Sequence, residues 1–503
     1  MHLAQSLATL QLSPSSGVPM FRQLYGAIKQ SVLSGKIGPG TQLPPTRDLA
    51  QQLGISRQTV LNAYEHLMAE GYLSGTVGKG TFVSHTLPVL GSSRQNRQGP
   101  QTGRLLRPLS ARGQAFIGPQ AVLNTHEGNP KAFRIGMPGL DLFPFDVWAR
   151  LEARRWRRPP HELGYSEPAG YRPLREALAA YLGASRGVQC DPGQILITSG
   201  SQQALFLIAT LLLAPGDAAW VEDPGYRGIS ASLRAAEARV CPVPVDGEGL
   251  LVTQGKAAYP DAKLVYVTPS HQLPLGVTMS LARRLELLAW AKENKAWVVE
   301  DDYDSEYRYT GPPLASLQSL DKAGCVIYVG TLSKVLFPGL RLGYMVLPPA
   351  LVDAFVQARA ILDRHAAIVP QIVLADFITE GHFGRHIKRT REAYAERRTA
   401  LIEAIETHLG AHLRPGPADA GLQLSTTFVS RRDDQALALA AREKGIEVRA
   451  LSTFYLSNNG APQSDQLSGL VLGFASIPVE DIRRGAPALR GVLEKQDART
   501  LAF

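Results

Sequence analysis

From Phe133 onward, helical stretches alternate with short, continuously apolar runs: "QILITSG" (194–200), "AAWVEDP" (218–224), "KLVYVTP" (263–269), "AWVVEDD" (296–302), "CVIYVG" (325–330) and "LGYMVLP" (342–348). Strands that are apolar on both sides must be covered on both sides, so these runs predict a mostly parallel α/β sheet. In such sheets ligands collect in the crevice at the strand ends, and polar or glycine-rich residues follow nearly every run. At 503 residues the chain exceeds one ordinary core, so two or three domains are expected.

The formal charge of +9 is unevenly distributed. Up to Ala115, eleven Lys/Arg face three Asp/Glu, which places eight of the nine excess charges there. A basic module on a near-neutral body is implied, and a polyanion is its expected partner. The longest apolar run, "ALFLIATLLLAPG" (204–216), fits a buried helix and is too short to span a membrane. The N-terminus lacks a basic segment followed by an apolar core, so export is not expected. Cys190, Cys241 and Cys325 are scattered and odd in number, which suits a reducing cytoplasm, and metal-ligand spacing is absent.

Residues 19–34, "PMFRQLYGAIKQSVLS", place Phe21, Leu24, Ile28, Val32 and Leu33 at helical spacing, with Gly35 as the stop. Thr46 is expected to cap "TRDLAQQL", "GIS" (54–56) to turn the chain, and Ser56 to cap "RQTVLNAYEHLMAEGYL". Two short helices joined by a glycine turn form a helix-turn-helix. "YLSGTVGKGTFV" (72–83) then predicts a β wing with Lys79 and Gly80 at its tip. The second helix would enter a major groove of double-stranded DNA N-terminus first, presenting Ser56, Arg57, Gln58 and Thr59 to phosphates and base edges. Arg47 and Lys79 would hold the flanking backbone. "LPPTRDLAQQLGISRQTVLNAYEHLMAEGYL" followed by "GKGTFV" resembles the winged helix-turn-helix of GntR-type bacterial regulators, over roughly residues 17–84.

Composition then shifts to Gly, Ser, Gln, Pro and Arg, as in "GSSRQNRQGPQTGRLLRPLSARGQ". Too little of this stretch is apolar to offset the entropy of ordering it, so a flexible tether is expected. Its arginines, Arg94, Arg97, Arg104, Arg107 and Arg112, would either track DNA backbone or simply keep the tether soluble. The domain plan is therefore 1–84 for the DNA-binding module, 85–131 for the tether and 132–503 for the body.

The strand ends of the body supply one partner for each part of a single cofactor. "SGSQQAL" (199–205) runs from strand into helix, where backbone amides suit a phosphate. "EDDYD" (300–304) offers a carboxylate for a protonated ring nitrogen, and "DPGY" (223–226) an aromatic to lie on a planar ring. "TLSK" (331–334) adds hydroxyls and an amine, and Arg341 a fixed positive charge. Phosphate, pyridine, ring face and aldehyde are thus all met, a combination that describes pyridoxal 5′-phosphate held through a Schiff base to Lys334.

Residues 133–480 resemble a fold-type I aminotransferase, and "TPSHQLPLG" (268–276), "VVEDDYDSEYRY" (298–309) and "GTLSKVLFPGLRLGYMVLP" (330–348) are similar to the versions in MocR-type regulators, which fuse the same two modules. The resemblance implies that Lys334 carries the cofactor and Asp301 pairs with its ring nitrogen. Strand alternation lets only one of Asp301 and Asp302 face inward, and the family's Asp-x-Tyr spacing favours Asp301. Tyr303 and His271 would lie near the phenolic oxygen, with His271 where many aminotransferases use asparagine, and Tyr226 would stack on the ring. Ser199, Gly200, Ser201, Gln202, Thr331, Ser333 and Arg341 are phosphate candidates, with Ser201, Gln202 and Arg341 foremost. One departure concerns the arginine that clamps a substrate carboxylate in this fold: in "GLVLGFASI" (469–477) Val471 falls in its place, with Arg449 and Arg227 as possible substitutes. The implied function is a transcription regulator that senses an amine lacking an α-carboxylate, or pyridoxal phosphate itself, as a head-to-tail homodimer meeting two DNA half-sites. The alternative is a working aminotransferase with a DNA-binding appendage, and slow exchange chemistry is compatible with either. A scaffold that binds no cofactor is a third possibility.

Overall fold

The computed structural model describes residues 12–13, 17–76, 80–85, 108–117, 131–157, 163–311, 314–456 and 466–500, in two compact units, Met1–Leu106 and Arg107–Phe503. In the first unit, helices α1 (Met20–Leu33), α2 (Thr46–Leu53) and α3 (Arg57–Ala69) accompany an antiparallel sheet of β1 (Gln42–Leu43), β3 (Gly80–Val83) and β2 (Leu73–Thr76), in that spatial order. Leu24, Ile28 and Val32 of α1 pack with Leu49 of α2 and Val60, Tyr64 and Leu67 of α3 in one core. Gly54, at φ 64°, turns α2 toward α3, and Ser56 Oγ accepts a 3.1 Å hydrogen bond from the Thr59 amide as the α3 cap. Thr46 does not cap α2 as expected but is its first residue. Pro45 holds the cap position at φ −56°, so ring geometry sets the entry and no side chain caps.

In the second unit the central sheet contains β4 (Ile195–Thr198), β5 (Ala218–Asp223), β6 (Arg239–Asp246), β7 (Gly249–Leu250), β8 (Leu264–Val267), β9 (Trp297–Asp302), β10 (Val326–Thr331) and β11 (Gly343–Val346). Their spatial order is β4-β11-β10-β9-β8-β5-β6-β7. Neighbours from β10 through β6 are parallel, while β11 runs antiparallel to both β4 and β10, and β7 to β6. The six expected strands are all present, and Ile195, Leu196, Ile197, Val265, Val298, Val299, Ile327 and Val329 are buried. A second, antiparallel sheet follows, ordered β12 (Leu413–Pro415), β13 (Gln423–Phe428), β15 (Gly469–Gly473), β14 (Arg449–Ala450). It shares a core with the helix His382–Ala404 and the C-terminal helix Val479–Thr500.

Part of the stretch expected as tether is ordered within this unit. Ala111–Ala115 is a short helix whose Arg112 Nε donates to Glu237 at 2.8 Å, and Phe116 lies 5.8 Å from the Phe206 ring. Arg94, Arg97, Arg104 and Arg107 lie outside the described residues, as does Lys79 at the wing tip. Among the described residues no helix is long and apolar enough to cross a membrane, and no group of His, Cys, Asp and Glu is arranged to hold a metal.

Candidate functional site

Lys334 stands three residues beyond the end of β10, and its Nζ donates to the Gly136 carbonyl at 2.6 Å. Burial pushes the amine below the ordinary lysine value, against the pull of the Asp304 and Asp301 carboxylates. A suppressed charge of this kind leaves more of the amine in its nucleophilic form at neutral pH.

Asp301 lies on β9, and its Oδ2 accepts a 2.7 Å hydrogen bond from the Tyr266 hydroxyl. Its Oδ1 is buried and has no hydrogen-bond partner among the described residues. Burial raises the Asp301 carboxyl to about 7. The Tyr266 hydrogen bond and the Lys334 charge oppose that rise, and the charge of Asp302 adds to it. Alternation turns Asp302 elsewhere, where its Oδ2 accepts from Arg186 Nη2 at 2.6 Å and from the Tyr328 hydroxyl at 2.6 Å. An orphaned buried carboxylate oxygen that shares a field with Lys334 fits a protonated ring nitrogen, which would supply the missing donor and neutralise the charge.

The phosphate candidates converge through β11. Gly343 pairs with Thr198 of β4 on one side and Thr331 of β10 on the other, which brings the two strand ends together. A Cβ on Gly343 would stand 3.0 Å from the Ser201 amide nitrogen, so the close approach needs glycine. Gly200, at φ 115°, is the N-cap of the helix Ser201–Leu212, and a Cβ there would lie 3.5 Å from Arg341 Nη2. Arg341 itself sits at φ 52°, a left-handed backbone unusual for a residue with a side chain. First-turn amides and a guanidinium thus surround one spot, a fitting cradle for an anion. Ser199 and Ser333 use their amides locally, on Gln203 Oε1 at 2.8 Å and Thr331 Oγ1 at 3.2 Å. Gln202 directs its carboxamide away from this cradle. Its Oε1 accepts from the Tyr226 hydroxyl at 3.0 Å while its Nε2 donates to the Gly228 carbonyl and Ser232 Oγ, so its side chain positions Tyr226.

His271 Nδ1 lies 3.0 Å from the Tyr303 hydroxyl and 3.1 Å from Asp304 Oδ2. At the clamp position, Val471 is buried in β15 directly across from Arg449 of β14. Arg227 Nη1 donates to the Tyr455 carbonyl at 2.5 Å, so it is committed to the backbone. Arg449 stacks 4.8 Å over Phe454, and its charge lowers Tyr226 against the dominant effect of burial, which places it within reach of the crevice.

In the first unit Arg57 and Gln58 are exposed at the start of α3, and Arg47 on α2. Ser56 and Thr59 are partly used in capping, their hydroxyls 2.8 Å apart. Gly80 opens β3 at φ 109°, a backbone that favours glycine. Asn62, which sequence reasoning missed, accepts from Gln58 Nε2 at 2.8 Å, the contact expected of residues four apart on a helix. Replacing Arg57 with alanine is expected to weaken promoter binding by roughly ten- to a hundredfold, measured by fluorescence anisotropy at fixed salt. An unchanged affinity would remove α3 as the recognition helix.

Sequence reasoning also missed Asp304, Tyr266 and Gly136. Asp304 and Tyr266 stood inside quoted stretches, whereas Gly136 is visible only once the residue 131–139 segment is folded against Lys334.

Residues 137–464 match the family model for aminotransferase class I and II, and residues 21–83 that for bacterial regulatory proteins of the gntR family. The chain is 40% identical over 483 residues to the probable rhizopine catabolism regulatory protein MocR of Rhizobium meliloti, covering 96% of this chain and 95% of that one. It is 30% identical to the HTH-type pyridoxine biosynthesis transcriptional regulator PdxR of Corynebacterium glutamicum, covering 94% and 96% respectively. The solved structure of LysN, an alpha-aminoadipate aminotransferase from Thermus thermophilus complexed with N-(5′-phosphopyridoxyl)-L-leucine, superposes with a TM-score of 0.70. That match has 28% identity and covers 77% of this chain and 98% of LysN.

Proposed function

Because the chain belongs to the MocR-type regulators, in which a GntR-family winged helix-turn-helix is joined to an aminotransferase class I and II domain, we propose that its second unit senses a small amine, or pyridoxal phosphate itself, and thereby controls how its first unit binds promoter DNA. The chain is a pyridoxal-phosphate-dependent, DNA-binding transcription regulator. The observation that carries the sensing reading is the buried, unpartnered Oδ1 of Asp301 in the same field as the Lys334 amine. When bound, the cofactor supplies an aldehyde that condenses with amines and a ring that withdraws electrons. Lys334 would hold the aldehyde carbon, Asp301 the ring nitrogen and Tyr226 the ring face. Tyr303 would meet the phenolic oxygen with His271 beside it, and Ser199, Gly200, Ser201, Gln202, Thr331, Ser333 and Arg341 would surround the phosphate, Gln202 through its backbone amide. On DNA, Ser56, Arg57, Gln58, Thr59 and Arg47 would meet the groove and its flanks, with Lys79 and Gly80 at the wing.

A ligand shifts such a protein only if it favours one arrangement over another, so the effector must change contacts in the crevice. Val471 in the clamp position favours an effector without an α-carboxylate, with Arg449 across from it as a cation for a more distant acid. Arg449→Met should therefore weaken the response to carboxylate-bearing amines at least about tenfold while leaving pyridoxal phosphate uptake intact. Equal responses in variant and parent would remove Arg449 from the site. A head-to-tail homodimer in the cytoplasm is part of the same proposal. Tyr165 and Ile361 are each 87% exposed, and Arg364 lies 4.9 Å over the Tyr165 ring, so both offer exposed apolar surface suited to a second copy.

The test is promoter binding with and without pyridoxal phosphate and a panel of amines. No change with any of them would overturn the sensing reading. A working aminotransferase is the second reading, supported by the likeness to LysN. Turnover between amino and keto acids at ordinary enzyme rates, with no promoter binding, would establish it instead.

A further inference from the structure

Two groups in the crevice compete for one nitrogen. His271 Nδ1 lies 3.1 and 3.2 Å from the two carboxylate oxygens of Asp304 and 3.0 Å from the Tyr303 hydroxyl. A ring nitrogen offers either a proton or a lone pair in the ring plane, so Nδ1 can donate to Asp304 or accept from Tyr303, but not both. Asp304 is 1% exposed, and among the described residues no other hydrogen-bond donor reaches its side chain. Depriving it of the Nδ1 proton would strand a buried acceptor, whereas Tyr303 has an alternative once a ligand oxygen is near. The ring cannot swing to another partner. Gly421, at φ 88°, packs so closely that a Cβ there would collide with His271 Cε1, and a Cβ on Gly276 would stand 3.4 Å from Nε2.

We propose that Asp304 is a positioning residue of the cofactor site: by accepting the Nδ1 proton of His271 it keeps the Tyr303 hydroxyl free to donate to the cofactor's phenolic oxygen. This rests on reading the crevice as the pyridoxal phosphate site. Removing the Asp304 carboxylate would move the proton to Nε2, and Nδ1 would then capture the Tyr303 hydroxyl at the 3.0 Å already present. An asparagine at 304 keeps a carbonyl oxygen that accepts from Nδ1, so it should preserve the arrangement.

The test uses the full-length protein. The first measurement is histidine ¹⁵N NMR without cofactor, with the His271 signals assigned by their loss in His271→Gln. The second is pyridoxal phosphate affinity by fluorescence titration for the parent, Asp304→Ala, Asp304→Asn, Tyr303→Phe and the Asp304→Ala/Tyr303→Phe double variant. Nδ1 should carry the proton in the parent and in Asp304→Asn, and Nε2 in Asp304→Ala. Asp304→Ala and Tyr303→Phe should each weaken binding roughly tenfold, and the double variant should be no weaker than either, because both remove the same hydrogen bond. Asp304→Asn should stay within about threefold of the parent. Nδ1 unprotonated in the parent, Nδ1 still protonated in Asp304→Ala, or additive losses in the double variant would each overturn the inference. A parent protein with the expected tautomer that takes up no pyridoxal phosphate would overturn the reading of the crevice, and the cofactor half of this inference with it, while the proton assignment stood.

Discussion

Lys334→Met protein is expected to pass through gel filtration without pyridoxal phosphate, its retention weakened by roughly a hundredfold or more, while the parent keeps the cofactor. Methionine fills a similar volume but forms no covalent bond and cannot donate to the Gly136 carbonyl as Nζ does at 2.6 Å. Borohydride treatment should leave a reduced adduct on Lys334 in the parent and none in the variant. Promoter affinity measured without cofactor should remain within about threefold of the parent, since the residues proposed to meet DNA lie in a separate compact unit. The response of that affinity to pyridoxal phosphate or amines should vanish. Retained cofactor together with retained ligand control would end the sensing account.

Asp301→Asn should act in opposite directions with and without cofactor. Burial, reinforced by the neighbouring charge of Asp302, raises the Asp301 carboxyl to about 7 despite the Tyr266 hydrogen bond. A carboxyl raised in the folded state holds its proton longer there than in the unfolded chain. The folded state therefore loses stability as pH climbs from about 4 to about 7, and the loss is complete above that. At pH 8 this amounts to roughly 4 kcal/mol, and by pH 5 it should fall to less than half. Without cofactor, the asparagine variant should accordingly melt at a higher temperature than the parent at pH 8, with the gap narrowing toward pH 5. Glu222 and Glu300, also raised to about 7 by burial, are common to both proteins and drop out of the comparison. With cofactor the order should reverse, because an amide cannot neutralise a protonated ring nitrogen, and affinity should fall by roughly a hundredfold. Equal thermal protection of both proteins by pyridoxal phosphate would show that Asp301 does not face the ring.

What could be read in advance divides along physical lines. Strands β4, β5 and β8–β11 announce themselves because burial on both faces demands unbroken apolar runs, as in Ile195–Thr198 and Val326–Thr331. Strand β6 was missed because Pro242 and Pro244 interrupt "RVCPVPVD", and proline within a run argues against a strand. In the second sheet Leu413–Pro415 and Arg449–Ala450 were missed because they are too short to show a period. The cap of α2 differed because proline geometry replaced a side-chain hydrogen bond at Pro45. In the crevice, residue types at strand ends were legible as chemistry, Asp301 and Lys334 above all. The side-chain pairings were not: the Gln202 carboxamide turns to Tyr226 and Asp304 meets His271 across a separation of 33 residues, which no local pattern encodes.

The antiparallel wedge β11 has a consequence for biosynthesis. Ser201 leaves the ribosome long before Gly343, yet the end of β4 that leads into its turn is joined to the end of β10 only after Gly343–Val346 has slotted between the two strands. A nascent polypeptide ending before Met345 would lack the juxtaposed strand ends of the proposed anion cradle, so a ligand held there would stabilise this architecture only once the last inserted strand is home.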